Sequence, residues 1–427
     1  MSRSLPPPPM ALRWVALGVI SLAGFGSSYL FDCIGPLAKL LSDQLRFSDA
    51  DIGLLQAVCS VPNLFMVLLG GIVVDEIGVR RAGLIFALLC CAGAVLTALS
   101  PSLPVMMAGR LVYGIGSGSL SVAVSTGIAK WFIGEKQGFV FGVNLTLSRL
   151  GSLAAQVSPA WARGAYVSWR TPLLIAVAFG GVCVLGAAAY WILEVRASRR
   201  YAIGAPGQDR PARSRGLDFG KSYWLVSLVC VTFYAGIYPF LTFAQKFFVE
   251  ARGATLGQAS LFVGMLTVMA MVLTPLAGLL ADRVGRRTLL LGIGTVLLVP
   301  AYLLMAYTRL SLAIPMALMG LAFSLVPAVL WPAVMLIVPQ EKLGKAFGLL
   351  SLIQSIGLTG FNFLIGWAND VSGASAANPG GYAPGMWLFS LTTLAAVIFA
   401  LLLYRHEKGP GGHGLESPGG RKAPIRA

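Results

Sequence analysis

Apolar residues run along this chain in long unbroken stretches, separated by short clusters of charge, glycine and proline. Runs of about 20 apolar residues suit helices that cross a bilayer, whereas a membrane strand would alternate apolar and polar positions. The pattern predicts twelve spans, over 12–37, 51–74, 82–100, 104–128, 137–160, 171–193, 223–248, 258–281, 288–307, 311–338, 345–368 and 385–404. One segment breaks the rhythm. Residues 194–222 carry Arg196, Arg199, Arg200, Arg210, Arg213, Arg215 and Lys221 among glycines and prolines, and read as a solvated basic linker. The expected architecture is an all-α membrane protein of twelve transmembrane helices. A six-helix bundle spans 1–193, the linker 194–222, a second six-helix bundle 223–404 and a polar tail 405–427.

Composition agrees with a membrane chain. Of 427 residues 57% are hydrophobic and 11% charged, against roughly 25% charged in a soluble domain. The net charge of +16 would suggest nucleic acid in a soluble protein, but too little polar surface remains for that reading. Counting loops alternately from the N-terminus, 23 basic residues fall on the side of the termini and 7 on the other. The positive-inside rule therefore places both termini and the linker in the cytoplasm. High arginine content, short loops and unpaired cysteines suit a bacterial cytoplasmic membrane. Pro6 to Pro9 precede the first span without a small-residue cleavage site, so that span is kept as a helix.

Little chemistry beyond transport is on offer. The six cysteines lie in apolar stretches without metal or redox spacing, and read as small packing residues. His406 and His413 sit in the tail, which leaves no histidine for a metal or a proton relay inside the membrane. No Gly-Lys-Ser/Thr phosphate loop is present, so ATP is not expected as a partner. No cofactor and no catalytic set is expected, and the partners are a small-molecule substrate and the lipid bilayer.

The two halves repeat each other. Gly71-Ile-Val-Val-Asp75-Glu-Ile-Gly78-Val-Arg80-Arg81 returns as Gly278-Leu-Leu-Ala-Asp282-Arg-Val-Gly285-Arg286-Arg287. Glu135-Lys136-Gln-Gly138-Phe-Val-Phe141-Gly142 returns as Glu341-Lys342-Leu-Gly344-Lys-Ala-Phe347-Gly348. Parallel six-helix repeats point to a transporter with its site at mid-membrane between the halves. The first motif resembles the signature loop of the major facilitator superfamily, and Arg110-Leu-Val-Tyr-Gly114-Ile-Gly116-Ser-Gly118 resembles that family's fourth-helix motif. Within it the chain is most similar to the lysosomal dipeptide-transporter branch. Gly26-Ser-Ser-Tyr29, Ser60-Val-Pro62-Asn63, Ser148-Arg149-Leu-Gly151-Ser152, Tyr238-Pro239-Phe240 and Trp331-Pro332 carry that likeness. It implies the major facilitator fold and alternating-access transport of a small carboxylate-bearing solute, with dipeptides favoured. Another anion, or a scaffold that senses without transporting, remains open.

Candidate residues fall into three groups. Gly71, Asp75, Gly78, Arg80 and Arg81, with Gly278, Asp282, Gly285, Arg286 and Arg287, form two loops whose aspartates can bind backbone N–H groups and guanidinium groups. They read as a gating lock, or as charges that only set topology. Arg149 lies near the middle of the fifth span, where a charge costs at least ~2.5–3.5 kcal/mol unless it faces a wet cavity or a partner. Its counterpart in the second half is the neutral Ser355. It can take a substrate carboxylate bidentately, the role the resemblance implies, or form a buried pair with Asp32. Asp32, well inside the first span, can meet a substrate ammonium or carry a proton. A single such carboxylate favours a uniporter over a multi-carboxylate pump.

Asn144 and Ser148, near Arg149, and Tyr234, Tyr238, Trp331 and Gln354 of the second half are further candidates for substrate contact, or else packing residues. Arg110 either snorkels outward or belongs to the transport pathway. Gly114 to Gly118 suit close helix packing. The resemblance departs at Gly118, where the dipeptide-transporter branch carries a glutamate that pairs with the substrate's amino group. Two readings follow: Asp32 takes that role, or the solute lacks an amino group.

Overall fold

The structure is a computed structural model that describes residues 6–132, 137–203, 219–339, 342–409 and 412–417. Its helices are α1 Met10–Asp32, α2 Ile34–Leu45, α3 Asp49–Val58, α4 Asn63–Ile77, α5 Val79–Leu99, α6 Leu103–Trp131, α7 Gln137–Gln156, α8 Ser158–Trp161 and α9 Arg170–Ser198. The second half holds α10 Lys221–Arg252, α11 Leu256–Val284, α12 Arg287–Val296, α13 Leu298–Tyr307, α14 Ala313–Ile337, α15 Leu343–Val371 and α16 Ala383–Glu407. No strand occurs among the described residues. Among the described residues, ten helical stretches are long and apolar enough to cross a membrane. The chain is an integral, multi-pass membrane protein.

The two remaining expected spans, 51–74 and 137–160, are helical but interrupted. Over 51–74 the helix breaks between α3 and α4, because Pro62 has no N–H to offer the carbonyl four residues back. Over 137–160 it breaks at Val157, between α7 and the single turn of α8. Pro36 likewise interrupts the first span at Cys33, and the helix then runs on as α2 to Leu45, beyond the expected end at 37. Pro300 does the same between α12 and α13.

The chain divides into two units, Met1–Phe47 with Leu54–Arg210, and Ser48–Gly53 with Pro211–Ala427. In the first, α1 packs on α6, α7 and α9, while α5 packs on α6 and α9. Small residues allow close approach: a Cβ on Gly93 would lie 2.5 Å from the Tyr113 nitrogen, and one on Gly116 2.7 Å from the Phe86 carbonyl. Both positions sit on the α5–α6 contact, so Gly116 serves packing as its sequence run suggests. In the second unit, α10 packs on α11, α15 and α16, and α14 packs on α11, α12 and α13. A capping box starts α11: Thr255 Oγ1 accepts from the Gln258 N–H at 3.3 Å while Gln258 Oε1 accepts from the Thr255 N–H at 3.1 Å.

The six early residues in the second unit are held by polar contacts. Asp370 accepts the Asp49 and Ala50 N–H groups, each at 2.8 Å, which satisfies donors left open at the start of α3. The buried Asp49 carboxylate meets the buried Lys246 ammonium and accepts from Asn369 Nδ2 at 2.9 Å. The tail is also engaged. Leu415 is fully buried, the Arg287 N–H donates to its carbonyl at 3.0 Å, and Glu416 Oε1 accepts from the Thr288 N–H at 3.2 Å. Arg210, Arg213 and Arg215 of the linker, Glu135, Lys136 and Glu341 of the second repeated motif, and residues 418–427 lie outside the described residues.

Candidate functional site

In the first unit, α7 presents two distinct faces. Asn144, Ser148 and Gly151, spaced four and three apart, share one of them. Ser21 Oγ donates to Asn144 Oδ1 at 2.9 Å, a Cβ on Gly24 would come within 2.7 Å of Ser148 Oγ, and a Cβ on Gly151 would collide with the Phe25 carbonyl. That face is packed against α1, so Asn144 and Ser148 stand at a helix contact. Arg149, Ser152 and Gln156 form the second stripe, spaced three and four apart. Asp32 lies near Ser152 and Gln156, at the far end of this stripe. Arg149 is half-buried, about 10 Å along the helix from Gln156. Arg110 is a cation near Asp32.

Arg110 does not snorkel. It is 2% exposed, and its guanidinium fills a cage of acceptors. Nη1 donates to the Leu30 carbonyl at 2.6 Å, Nε to the Leu55 carbonyl at 3.2 Å, and Nη2 to the Phe31 carbonyl at 3.2 Å and Gln56 Oε1 at 3.0 Å. Tyr113 lies beneath it, 5.2 Å from ring centroid to guanidinium carbon. The caged carbonyls belong to the last turns of α1 and α3, where intrahelical donors run out. Arg110 therefore joins two helix ends to α6. Arg110→Met is expected to leave several buried acceptors unpaired and to cost about 3 kcal/mol or more. The check is the apparent melting temperature and folded yield in detergent. A variant with normal stability but no transport would instead make Arg110 a pathway residue.

Gly118 faces Asn63 at the start of α4, and a Cβ added there would collide with Asn63 Oδ1. The volume that a longer side chain at 118 would need is thus taken by Asn63. Asn63 Oδ1 is buried and has no hydrogen-bond partner among the described residues. An unpaired buried acceptor is costly, and such groups concentrate where a ligand completes them. Sequence reading missed Asn63 as a site residue because an amide carries no charge to mark its depth.

In the second unit, aromatic side chains gather on α10, α14 and α15. Trp331 Nε1 donates to the Tyr234 hydroxyl at 3.2 Å, the Tyr234 and Tyr238 rings stack at 5.7 Å, and Phe323 meets Tyr238 edge-on at 5.8 Å. Trp331 also packs on Phe347 at 5.9 Å. Gln354 lies seven residues after Phe347 on α15, which puts it on the same helical face. The structure thus brings Tyr234, Tyr238 and Trp331 together, with Gln354 two turns along.

The signature loops share a backbone device. Gly78 (φ 83°) and Gly285 (φ 68°) both adopt positive φ at the turn between two helices, where a side chain would be strained. Gly71 and Gly278 lie within helices and have no such requirement. Side chains differ between the loops. Asp282 pairs with the buried Arg287 at 2.9 Å, and Arg286 adopts the left-handed region at φ 46°. Asp75 is exposed and pairs with none of the described residues; Arg80 is half-buried and Arg81 exposed.

Known proteins resemble the chain in sequence and in fold. The family model described as Major Facilitator Superfamily matches residues 20–359 and again 225–426. The lysosomal dipeptide transporter MFSD1 of Bos taurus is 30% identical over 381 residues, 86% of this chain and 81% of that protein. The probable sulfoacetate transporter SauU of Cupriavidus necator is 25% identical over 289 residues, 65% of this chain and 66% of that one. Among solved structures, a bacterial homolog of the human lysosomal transporter Spinster superposes with a TM-score of 0.78 at 18% identity, covering 93% of this chain and 98% of that one. The repeated signature loops, the helical units and the family match converge, and the chain belongs to the Major Facilitator Superfamily.

Proposed function

We propose that this protein is a secondary transporter of small carboxylate-bearing solutes, with dipeptides as the favoured class, working by alternating access as a uniporter. The observation that carries the reading is Arg149. A guanidinium halfway along a membrane helix is retained at a cost of at least ~2.5–3.5 kcal/mol, while its repeat position is Ser355. The second half carries a neutral residue at that position, and we read the cation of the first half as a contact for a solute carboxylate. Asn63 Oδ1, buried and unpaired in the same unit, supplies an acceptor for the solute's amino group where Gly118 leaves no room for an acid. Tyr234, Tyr238, Trp331 and Gln354 are further candidates for solute contact. The likeness to MFSD1 across most of the chain supports dipeptides.

The absence of an acid at 118, together with the likeness to SauU, favours one alternative: an organic anion without an amino group. The choice is tested by the melting temperature of purified protein with dipeptides, N-acetylated dipeptides and small organic acids. Stabilisation by free dipeptides that is lost on N-acetylation supports the first reading. Equal stabilisation by acids lacking nitrogen supports the second. The excess of basic residues on the side of the termini supports a cytoplasmic placement of both ends, in a bacterial cytoplasmic membrane.

The two signature loops act as a gate. Asp75→Asn is expected to slow uptake into liposomes while insertion and folding stay intact. An unchanged rate removes the gating role and leaves Asp75 as a surface charge.

A further inference from the structure

A cavity lies in the second unit, apart from every residue discussed as a solute contact. Its volume is about 780 Å³, and it opens where α10 and α13 end and α11, α14 and α16 begin. Pockets of a few hundred to about 1,000 Å³ accommodate small ligands. Its lining has two chemically distinct parts. Phe247, Phe262, Met305 and Met386 form an apolar portion, while Arg252 and Arg309 are the charged residues of the lining and both are cationic. No Asp or Glu lines it. Glu250, the acid nearest in sequence, accepts from the Tyr382 hydroxyl at 2.6 Å and is not part of the wall.

Backbone dipoles add to the positive potential. The starts of α11 and α16 and the two residues before α14 line the cavity and bring positive dipole ends near it, while the Ala313 N–H is taken by Ser311 Oγ at 3.4 Å and the Ala383 N–H by the Gly380 carbonyl. Arg252 is fixed in place, because it donates to the carbonyls of Met305 (3.0 Å), Thr308 and Leu310 (2.6 Å) and so holds the loop that carries Arg309. Arg309 itself is exposed. At the same helix ends, the Trp387 indole N–H donates to the Tyr307 hydroxyl, and both rings are exposed. Exposed Trp and Tyr mark the level of lipid headgroups.

We propose that this cavity binds an anionic amphiphile. Its phosphate meets Arg309 within the positive potential of these helix starts, and its apolar part lies on Phe247, Phe262, Met305 and Met386. The same phosphate chemistry is offered by a lipid headgroup and by the free ion, and the test separates them. Purified full-length protein in neutral detergent is melted with dioctanoylphosphatidylglycerol, dioctanoylphosphatidylcholine or inorganic phosphate. The expected result is a rise in melting temperature with phosphatidylglycerol alone, lost in Arg309→Gln and largely kept in Arg309→Lys. Ala306→Phe, which fills the cavity without touching charge, is expected to abolish the rise as well. A rise with inorganic phosphate that Arg309→Gln removes would assign the anion site to the free ion and overturn the amphiphile. An equal response of wild type, Arg309→Gln and Ala306→Phe to every probe would overturn the site altogether.

Discussion

Arg149→Ala is expected to lower solute affinity on the order of 30-fold to 4,000-fold and to bring uptake into liposomes near background. Removing one partner of a desolvated, hydrogen-bonded charge pair costs about 2–5 kcal/mol, and each 1.4 kcal/mol is tenfold in affinity. Arg149→Lys keeps the charge but loses the planar fork that grips a carboxylate with two parallel bonds, so an intermediate affinity is expected. A melting temperature close to wild type is expected for both variants without solute, because removing a half-buried cation from a membrane helix relieves its desolvation. Measuring uptake and melting on the same preparations separates loss of recognition from loss of folding. Normal uptake by the alanine variant would make Arg149 structural.

Lys246→Met is expected to give the largest stability effect of any single change. It leaves the Asp49 carboxylate, 2% exposed, with Asn369 Nδ2 as its side-chain hydrogen-bond donor among the described residues. Breaking a buried ion pair from one side costs about 3–5 kcal/mol, because the surviving charge stays desolvated. Asp49→Asn combined with Lys246→Met is expected to recover most of that loss, since no charge then remains buried. Thermal melts of the two single variants and the double variant check this. Additive losses in the double variant would show that the pair is not a coupled unit.

Much of the fold was legible because a bilayer imposes one length on apolar runs. The breaks were less so. The pattern over 51–74 reads as one span, and Pro62 divides it; the residue was visible, but the hydropathy of the run hid its consequence. Glycines in the signature loops were legible as turns, and Gly78 and Gly285 do adopt positive φ, whereas Gly71 and Gly278 sit inside helices for which their freedom is not needed.

The candidate site was legible in proportion to charge. Arg149 and Asp32 stood out because an ionised group inside a span has to be explained. Arg110 stood out equally, yet its cage of carbonyls is set by where α1 and α3 stop, which periodicity does not reveal. Asp49 and Lys246 lie at span ends, where charges read as loop residues that set topology, and they are 197 positions apart. Glu416 reaches Thr288 across 128 positions from what read as a solvated tail. Asn63 was invisible for the opposite reason: it is neutral and follows a proline, and only the missing Cβ of Gly118 shows what its amide fills.

The most direct test of the central claim is uptake of a radiolabelled dipeptide into liposomes holding the purified protein, compared with the same dipeptide amidated at its C-terminus. Free dipeptide is predicted to equilibrate across the membrane, the amide to remain outside, and Arg149→Ala to treat both as wild type treats the amide. Equal uptake of the free and amidated dipeptides by wild type would contradict recognition of a carboxylate by Arg149.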